Sequence, residues 1–341
     1  MTASDLEATA QALVAPGKGI LAADESSPTI KKRFDTIAVE STEDNRRAYR
    51  ELLFTTPGAG EYISGVILFD ETIRQNAADG TPLVEILKRQ GMIPGIKVDK
   101  GAKRLAGAPG ETVTEGLDGL RDRLQEYAEL GARFTKWRAV IAIGDGLPST
   151  YCLDVNAHAL ARYAALSQEA GLVPIVEPEV LMDGDHDLAR CAEVSEETLA
   201  RVFAALHDQR VLLEGMLLKP NMVLDGKDHA PKAGVEEVAA ATVKTLRRRV
   251  PAAVPGIVFL SGGQSDVEAT AHLNAMNAMD GNLPWQLSFS YGRALQAPPL
   301  KAWAGKAENV ARAQKAFHHR ARLNGAARHG RYTPAMEDEA A

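Results

Sequence analysis

Cysteine is nearly absent. Cys152 and Cys191 are the only two in 341 residues. That excludes a disulfide framework and a thiolate metal cluster, and it fits a reducing compartment. Basic charge is in deficit, with 39 Lys and Arg against 45 Asp and Glu, a formal net charge of −6. Nothing here offers a basic footprint to nucleic acid or a basic amphipathic anchor to a membrane. No apolar run approaches the ~20 residues that span a bilayer. Met1 to Val14 lacks the basic start and apolar block of a signal peptide. A cytoplasmic protein is the expectation. Low-complexity sequence and linkers are missing too. The Pro/Gly-rich spots Thr56–Gly60, Ala108–Gly110 and Ala297–Pro299 have the length of loops. One domain is therefore expected over residues 1–334, followed by a flexible acidic tail over 335–341.

What is present is ordinary globular composition, 45% hydrophobic and 25% charged. Short apolar runs bounded by turn residues read as strands: Gly19–Ala23, Ile63–Phe69, Ile93–Val98, Arg133–Val140, Val173–Glu177, Leu212–Leu218, Gly256–Leu260 and Gln286–Ser290. Amphipathic stretches lie between them, among them Leu117–Leu130, Val155–Ala170, Glu196–Gln209, Val235–Arg248, Val267–Ala278 and Lys306–Ala327. Eight strands alternating with helices predict an α/β fold. The expected architecture is a single closed (β/α)8 TIM barrel with extra N- and C-terminal helices.

Polar residues gather where such a barrel does its chemistry, at the carboxyl ends of its strands. Asp24 follows the first strand, Lys97 and Asp99 end the third, and Lys136 and Arg138 lie late in the fourth. Glu177 and Glu179 close the fifth, and Lys219 closes the sixth. Burial would lower the pKa of a lysine at Lys219 and free a nucleophilic amine; the competing reading is a side chain that snorkels to solvent. Lys136 and Arg138 share a strand face, with Trp137 on the other. A Lys136 close to Lys219 would depress the pKa of either. Glu177 and Glu179 form a carboxylate pair suited to acid–base work, or else they only neutralise the lysines.

Ser261-Gly262-Gly263 after the seventh strand, with Gly292 and Arg293 after the eighth, suits a phosphate, the competing reading being an ordinary glycine turn. Arg33, Arg46, Lys97 and Arg138 form a second basic group, and two anion sites imply a substrate with a phosphate at each end. Asp183-Gly184-Asp185-His186-Asp187 invites a metal reading, but a solvated loop with helix capping fits better. The other histidines are scattered, and Trp285 and Trp303 read as packing residues.

Together the motifs Gly17–Ser26, Gly95–Gly101, Lys136-Trp137-Arg138, Ile175–Glu179, Leu218–Met222, Leu260–Ser265 and Phe289–Leu295 resemble class I fructose-bisphosphate aldolase, in order and with near-matching spacing. The resemblance runs from about Ala15 to Pro334. It implies that Lys219 forms a Schiff base and that Glu177 is the general acid/base, with Asp24, Lys136 and Glu179 as partners. It assigns Ser261, Gly262, Gly263, Ser290, Gly292 and Arg293 to the ketose 1-phosphate. Arg33, Arg46, Lys97, Arg138 and Thr29 go to the other phosphate end.

The resemblance further implies a homotetramer, with no metal and no other cofactor, acting on a sugar bisphosphate. Two departures stand out. Pro28-Thr29 occupies the place of a common Gly-Ser, and no tyrosine follows Tyr332, where animal-type members end in one. The alternatives are a Schiff-base aldolase that prefers sedoheptulose 1,7-bisphosphate and a scaffold barrel without turnover.

Overall fold

The structure is a computed structural model and describes residues 2–339. Eight parallel strands close into a barrel: β1 (Gly19–Ala23), β2 (Ile63–Leu68), β3 (Ile93–Lys97), β4 (Phe134–Ile141), β5 (Val173–Val180), β6 (Leu217–Leu218), β7 (Gly256–Phe259) and β8 (Gln286–Tyr291). Each strand pairs with its neighbours in sequence, and β8 pairs with β1 to close the ring. Helices connect most of the strands. The longest, Thr150–Glu169 and Leu188–Asp208, are capped by Ser149 and Asp187. The barrel agrees with the architecture expected from the alternating pattern.

Side-chain alternation divides each strand between two environments. One parity faces the surrounding helices: Leu21, Val66, Ile96, Trp137, Val176, Leu218, Phe259 and Phe289 lie in one large apolar cluster. The other parity points inward. Toward the amino ends of the strands it is apolar, with Ile20, Ile67, Phe134, Val173, Ile175, Leu217 and Val258 in a second cluster. Leu6, Ala10 and Leu13, from the helix Ala3–Leu13, join this cluster and close the barrel floor. Phe134 needs the space that Gly95 leaves, since a Cβ there would meet its ring at 2.3 Å.

Two segments differ from the sequence expectation. The run Leu212–Leu218 is not one strand. Leu213–Gly215 is a 3-10 turn, and only Leu217–Leu218 joins the sheet. The Gln168 side chain explains this, because it accepts from Leu212 N at 2.9 Å and donates to the carbonyls of Leu212 and Gly215. Backbone groups that a longer ladder would use are thus already taken. Ala297–Pro299, expected as a loop, lies inside the helix Arg293–Trp303. Two prolines there remove N–H donors, and packing compensates through the buried Leu295, Leu300 and Trp303. The stretch expected as a tail makes contacts with the body of the barrel as far as Glu339. Glu337 pairs with Arg320 and accepts from Tyr332 Oη, and Glu339 pairs with Arg322 at 2.6 Å. Ala340 and Ala341 lie outside the described residues. The long connection between β3 and β4 also carries a hairpin, Ala102–Arg104 with Thr112–Thr114, that the strand pattern did not reveal.

Candidate active site

Inward parity changes character toward the carboxyl ends of the strands. Asp24 continues the series Ile20, Ala22; Lys136 and Arg138 continue Phe134; Glu177 and Glu179 continue Val173, Ile175; Lys219 continues Leu217. All six charged residues therefore face one chamber of about 690 Å³. Thr29, Arg33, Lys97, Asp99, Ser261, Gly262, Gly263, Ser290, Gly292 and Arg293 line the same space.

At its base sits a buried charge cluster. Lys136 and Lys219 are each 4% exposed and Glu177 is 3% exposed. Lys136 Nζ lies 2.7 Å from Asp24 Oδ2 and 3.3 Å from Glu177 Oε2. Lys219 Nζ lies 3.2 Å from Glu177 Oε1. Lys219 is therefore enclosed and ion-paired, and does not snorkel.

Burial is the largest single influence on both carboxylates and acts to raise their pKa. The combined pull of Lys136, Lys219 and other nearby cations outweighs it and holds Asp24 and Glu177 below the ordinary carboxylate range. For Lys136 burial acts downward, but Asp24, Glu177 and Asp99 outweigh it and raise its pKa. This corrects the expected depression of Lys136 by a like charge: the carboxylates are nearer and more numerous. Glu177 and Glu179 are not a pair forced to share a proton, because Glu179 has its own partner in Arg138 Nε.

The phosphate-type loop follows β7, the strand that pairs with β6, which leads to Lys219. Gly262 has φ +57°, a left-handed conformation that suits glycine. Arg293 Nη2 donates to the Gly262 carbonyl at 2.6 Å. Ser290 Oγ is buried and has no hydrogen-bond partner among the described residues. Gly292 caps the helix Arg293–Trp303, whose N-terminus faces the chamber and favours an anion.

Arg33 reaches the chamber from the helix Ser27–Asp35 while paired to Glu25, and its Nη2 lies beside Gly292, 3.6 Å from where a Cβ there would stand. Thr29 Oγ1 lies 3.1 Å from Ser26 Oγ. Lys97 Nζ is 3.8 Å from Asp99 Oδ1. Arg46 is the exception among the expected residues. It does not line the chamber, because its guanidinium grips both oxygens of Glu71 and donates to the Ser41 carbonyl.

Sequence reasoning missed Glu25. This carboxylate is buried at the rim, held by Arg33, by Arg50 Nη2 at 2.8 Å and by Gln296 Nε2 at 2.8 Å. Its position directly after Asp24 was the available signal. Met182 and Lys227, which also line the chamber, were missed as well. Asp187 Oδ1 accepts from Arg190 N at 2.8 Å, so the acidic loop does cap a helix. Among the described residues no group of three or more His, Cys, Asp or Glu is placed to hold a metal. None of the described helices is long and apolar enough to cross a membrane.

A (β/α)8 barrel with lysines and carboxylates interleaved at its mouth, flanked by an anion-binding loop, defines an enzyme for anionic substrates. The sequence profile described as "Fructose-bisphosphate aldolase class-I" matches residues 5–341. A Xanthomonas campestris protein named "Probable fructose-bisphosphate aldolase class 1" is 61% identical over 97% of this chain and 99% of that protein. "Fructose-bisphosphate aldolase 4, cytosolic" of Arabidopsis thaliana is 59% identical over 96% of this chain and 84% of that protein. A solved Plasmodium falciparum fructose-bisphosphate aldolase, in complex with TRAP and a small-molecule inhibitor, superposes with a TM-score of 0.96. It is 52% identical, covering 97% of this chain and 95% of that one. The chain belongs to the class I fructose-bisphosphate aldolase family, which are carbon–carbon lyases.

Proposed function

We propose that this chain cleaves fructose 1,6-bisphosphate, reversibly and without a metal, to dihydroxyacetone phosphate and glyceraldehyde 3-phosphate through a Schiff base on Lys219. The observation that carries this reading is the buried contact of Lys219 Nζ with Glu177 Oε1 at 3.2 Å. Glu177 takes a proton from Lys219, and the freed amine adds to the C2 ketone. Glu177 then returns the proton to the carbinolamine hydroxyl, which leaves as water, and an iminium remains. Asp24 accepts the C4 hydroxyl proton as the C3–C4 bond breaks, and the bonding pair moves into the iminium to give an enamine. The aldehyde product departs. Protonation and hydrolysis of the enamine release dihydroxyacetone phosphate and regenerate Lys219.

Lys136 stays charged between Asp24 and Glu177 and keeps both ready to accept a proton. Ser261, Gly262, Gly263, Ser290, Gly292 and Arg293 hold the 1-phosphate. Arg33, Lys97, Arg138 and Thr29 serve the other end, with Glu179 orienting Arg138. Two grips fix the sugar across the barrel mouth, and such orientation is worth roughly 7–11 kcal/mol in favourable intramolecular cases.

The proposal extends to a role in glycolysis and gluconeogenesis, to the cytoplasm, and to the homotetramer that the family resemblance implies. Plant relatives named cytosolic support the compartment. Borohydride reduction in the presence of dihydroxyacetone phosphate, followed by peptide mass spectrometry, tests the mechanism. The expected adduct is on Lys219; an adduct on another side chain, or none, overturns it.

A further inference from the structure

Gly263 is exposed at the chamber mouth, yet its amide has a partner within the chain. Its N–H donates to Met182 Sδ at 3.0 Å. A Cβ on Gly263 would lie 2.5 Å from the same sulfur, so the thioether is pressed against the loop. The backbone of Met182 is fixed. Its carbonyl accepts from Lys227 N at 2.6 Å, one of three rungs joining the loops after β5 and β6. The other two run from Gly226 N to His186 O at 2.7 Å and from Asp228 N to Gly184 O at 2.9 Å. Only the half-buried side chain of Met182 is left to move, and methionine has three rotatable bonds with which to do so. Elsewhere on the loop, Arg293 is engaged with the Gly262 carbonyl, and the buried Ser290 Oγ is unpartnered. Of the groups that could grip an anion here, two are occupied by the protein's own atoms.

We propose that Met182 is a displaceable cap on this loop. Its sulfur occupies the place of a phosphate oxygen in front of Gly263 N–H and swings aside when a phosphomonoester binds. The inference rests on the phosphate reading of the Ser261–Gly263 loop. A thioether is a weak acceptor, whereas a phosphate oxygen makes charge-assisted bonds about twice as strong as neutral ones. The exchange therefore favours the ester, and the cap lowers its affinity by the cost of displacing the sulfur. Met182 thus sets how tightly the chamber holds a phosphate.

The test measures inorganic phosphate as a competitive inhibitor of the full-length enzyme, with Met182→Ala, Met182→Gln and Arg293→Ala beside it. Removing the cap in Met182→Ala lowers the inhibition constant about fivefold, the scale of one neutral hydrogen bond. Met182→Gln, which offers a stronger acceptor of similar length, raises it. A structural role alone would not give opposite signs. An inhibition constant that is unchanged or raised in Met182→Ala overturns the cap. If Arg293→Ala leaves phosphate inhibition untouched, the phosphate reading of the loop is what failed, and the cap falls with it. If Arg293→Ala weakens inhibition while Met182→Ala does not strengthen it, the cap alone is wrong.

Discussion

Glu177 places Oε1 3.2 Å from Lys219 Nζ. Its other oxygen, 3.3 Å from Lys136 Nζ, ties the second lysine to the same carboxylate. Glu177→Gln removes the one carboxylate that, among the described residues, touches both lysine nitrogens. General acid–base groups contribute typically 10²–10⁴-fold, so kcat for cleavage falls by about that factor. Breaking a buried pair costs about 3–5 kcal/mol, so the unfolding midpoint in urea also drops. A variant that keeps more than about a tenth of wild-type kcat removes Glu177 from the proton transfers.

The charge cluster fixes the sign of the pH dependence of stability. Asp24 and Glu177 are held below their ordinary pKa, so their contribution is fully present above the unfolded value of about 4 and is lost as pH falls through the folded values. Lys136 is shifted upward. Its contribution is complete below the unfolded value of about 10.4 and is lost as pH climbs through the raised folded value. Urea titrations across pH should show Asp24→Asn with a flatter acid limb than wild type. An unchanged acid limb would contradict the lowered pKa of Asp24.

Arg46 and Arg293 should separate cleanly. Arg46 is spent on Glu71 and Ser41, whereas Arg293 lines the chamber. Arg46→Ala is expected to change KM for the sugar bisphosphate less than about twofold. Arg293→Ala is expected to raise it at least about tenfold, the scale of one charge-assisted bond. A large KM effect at Arg46 would return it to the substrate site.

Arg328 is a buried cation whose guanidinium has no carboxylate partner among the described residues. It donates to the carbonyls of Val14, Ala15, Lys18 and Leu287 and to Gln286 Oε1. Burial pushes its pKa down to about 10. Arg328→Leu strands several carbonyls at about 1–3 kcal/mol each if they stay buried. Differential scanning calorimetry should show a large drop in Tm, with Arg328→Lys recovering only part of it. Equal Tm values for the two variants would refute the multi-acceptor role.

Chelation gives a further check. With the Lys219 iminium as electron sink, prolonged dialysis against EDTA leaves the cleavage rate unchanged. Loss of the rate, with recovery on adding zinc, would replace the lysine mechanism.

The barrel and the charged ring were legible because side-chain alternation is a local property. Once a strand is placed, the parity of Phe134 dictates that of Lys136 and Arg138. Tertiary contacts hid the rest. The run at Leu212 looked like strand because nothing near it announces that Gln168, from another helix, takes its backbone groups. Pro298 and Pro299 argued against a helix that packing nonetheless holds. Arg46 looked like a substrate ligand because charge alone does not reveal that Glu71 waits a helix away. Glu25 lies within the motif Gly17–Ser26 and Met182 outside every motif, and for both only the fold shows what they touch.

Leu6, Leu13, Phe134 and Val258 form an apolar stopper at the amino ends of the strands, and the chamber lies at their carboxyl ends. On the proposed reaction, both three-carbon fragments would leave by the mouth that admits the six-carbon sugar. In that reaction the covalent bond to Lys219 would hold one fragment back at the chamber base, so the aldehyde leaves first.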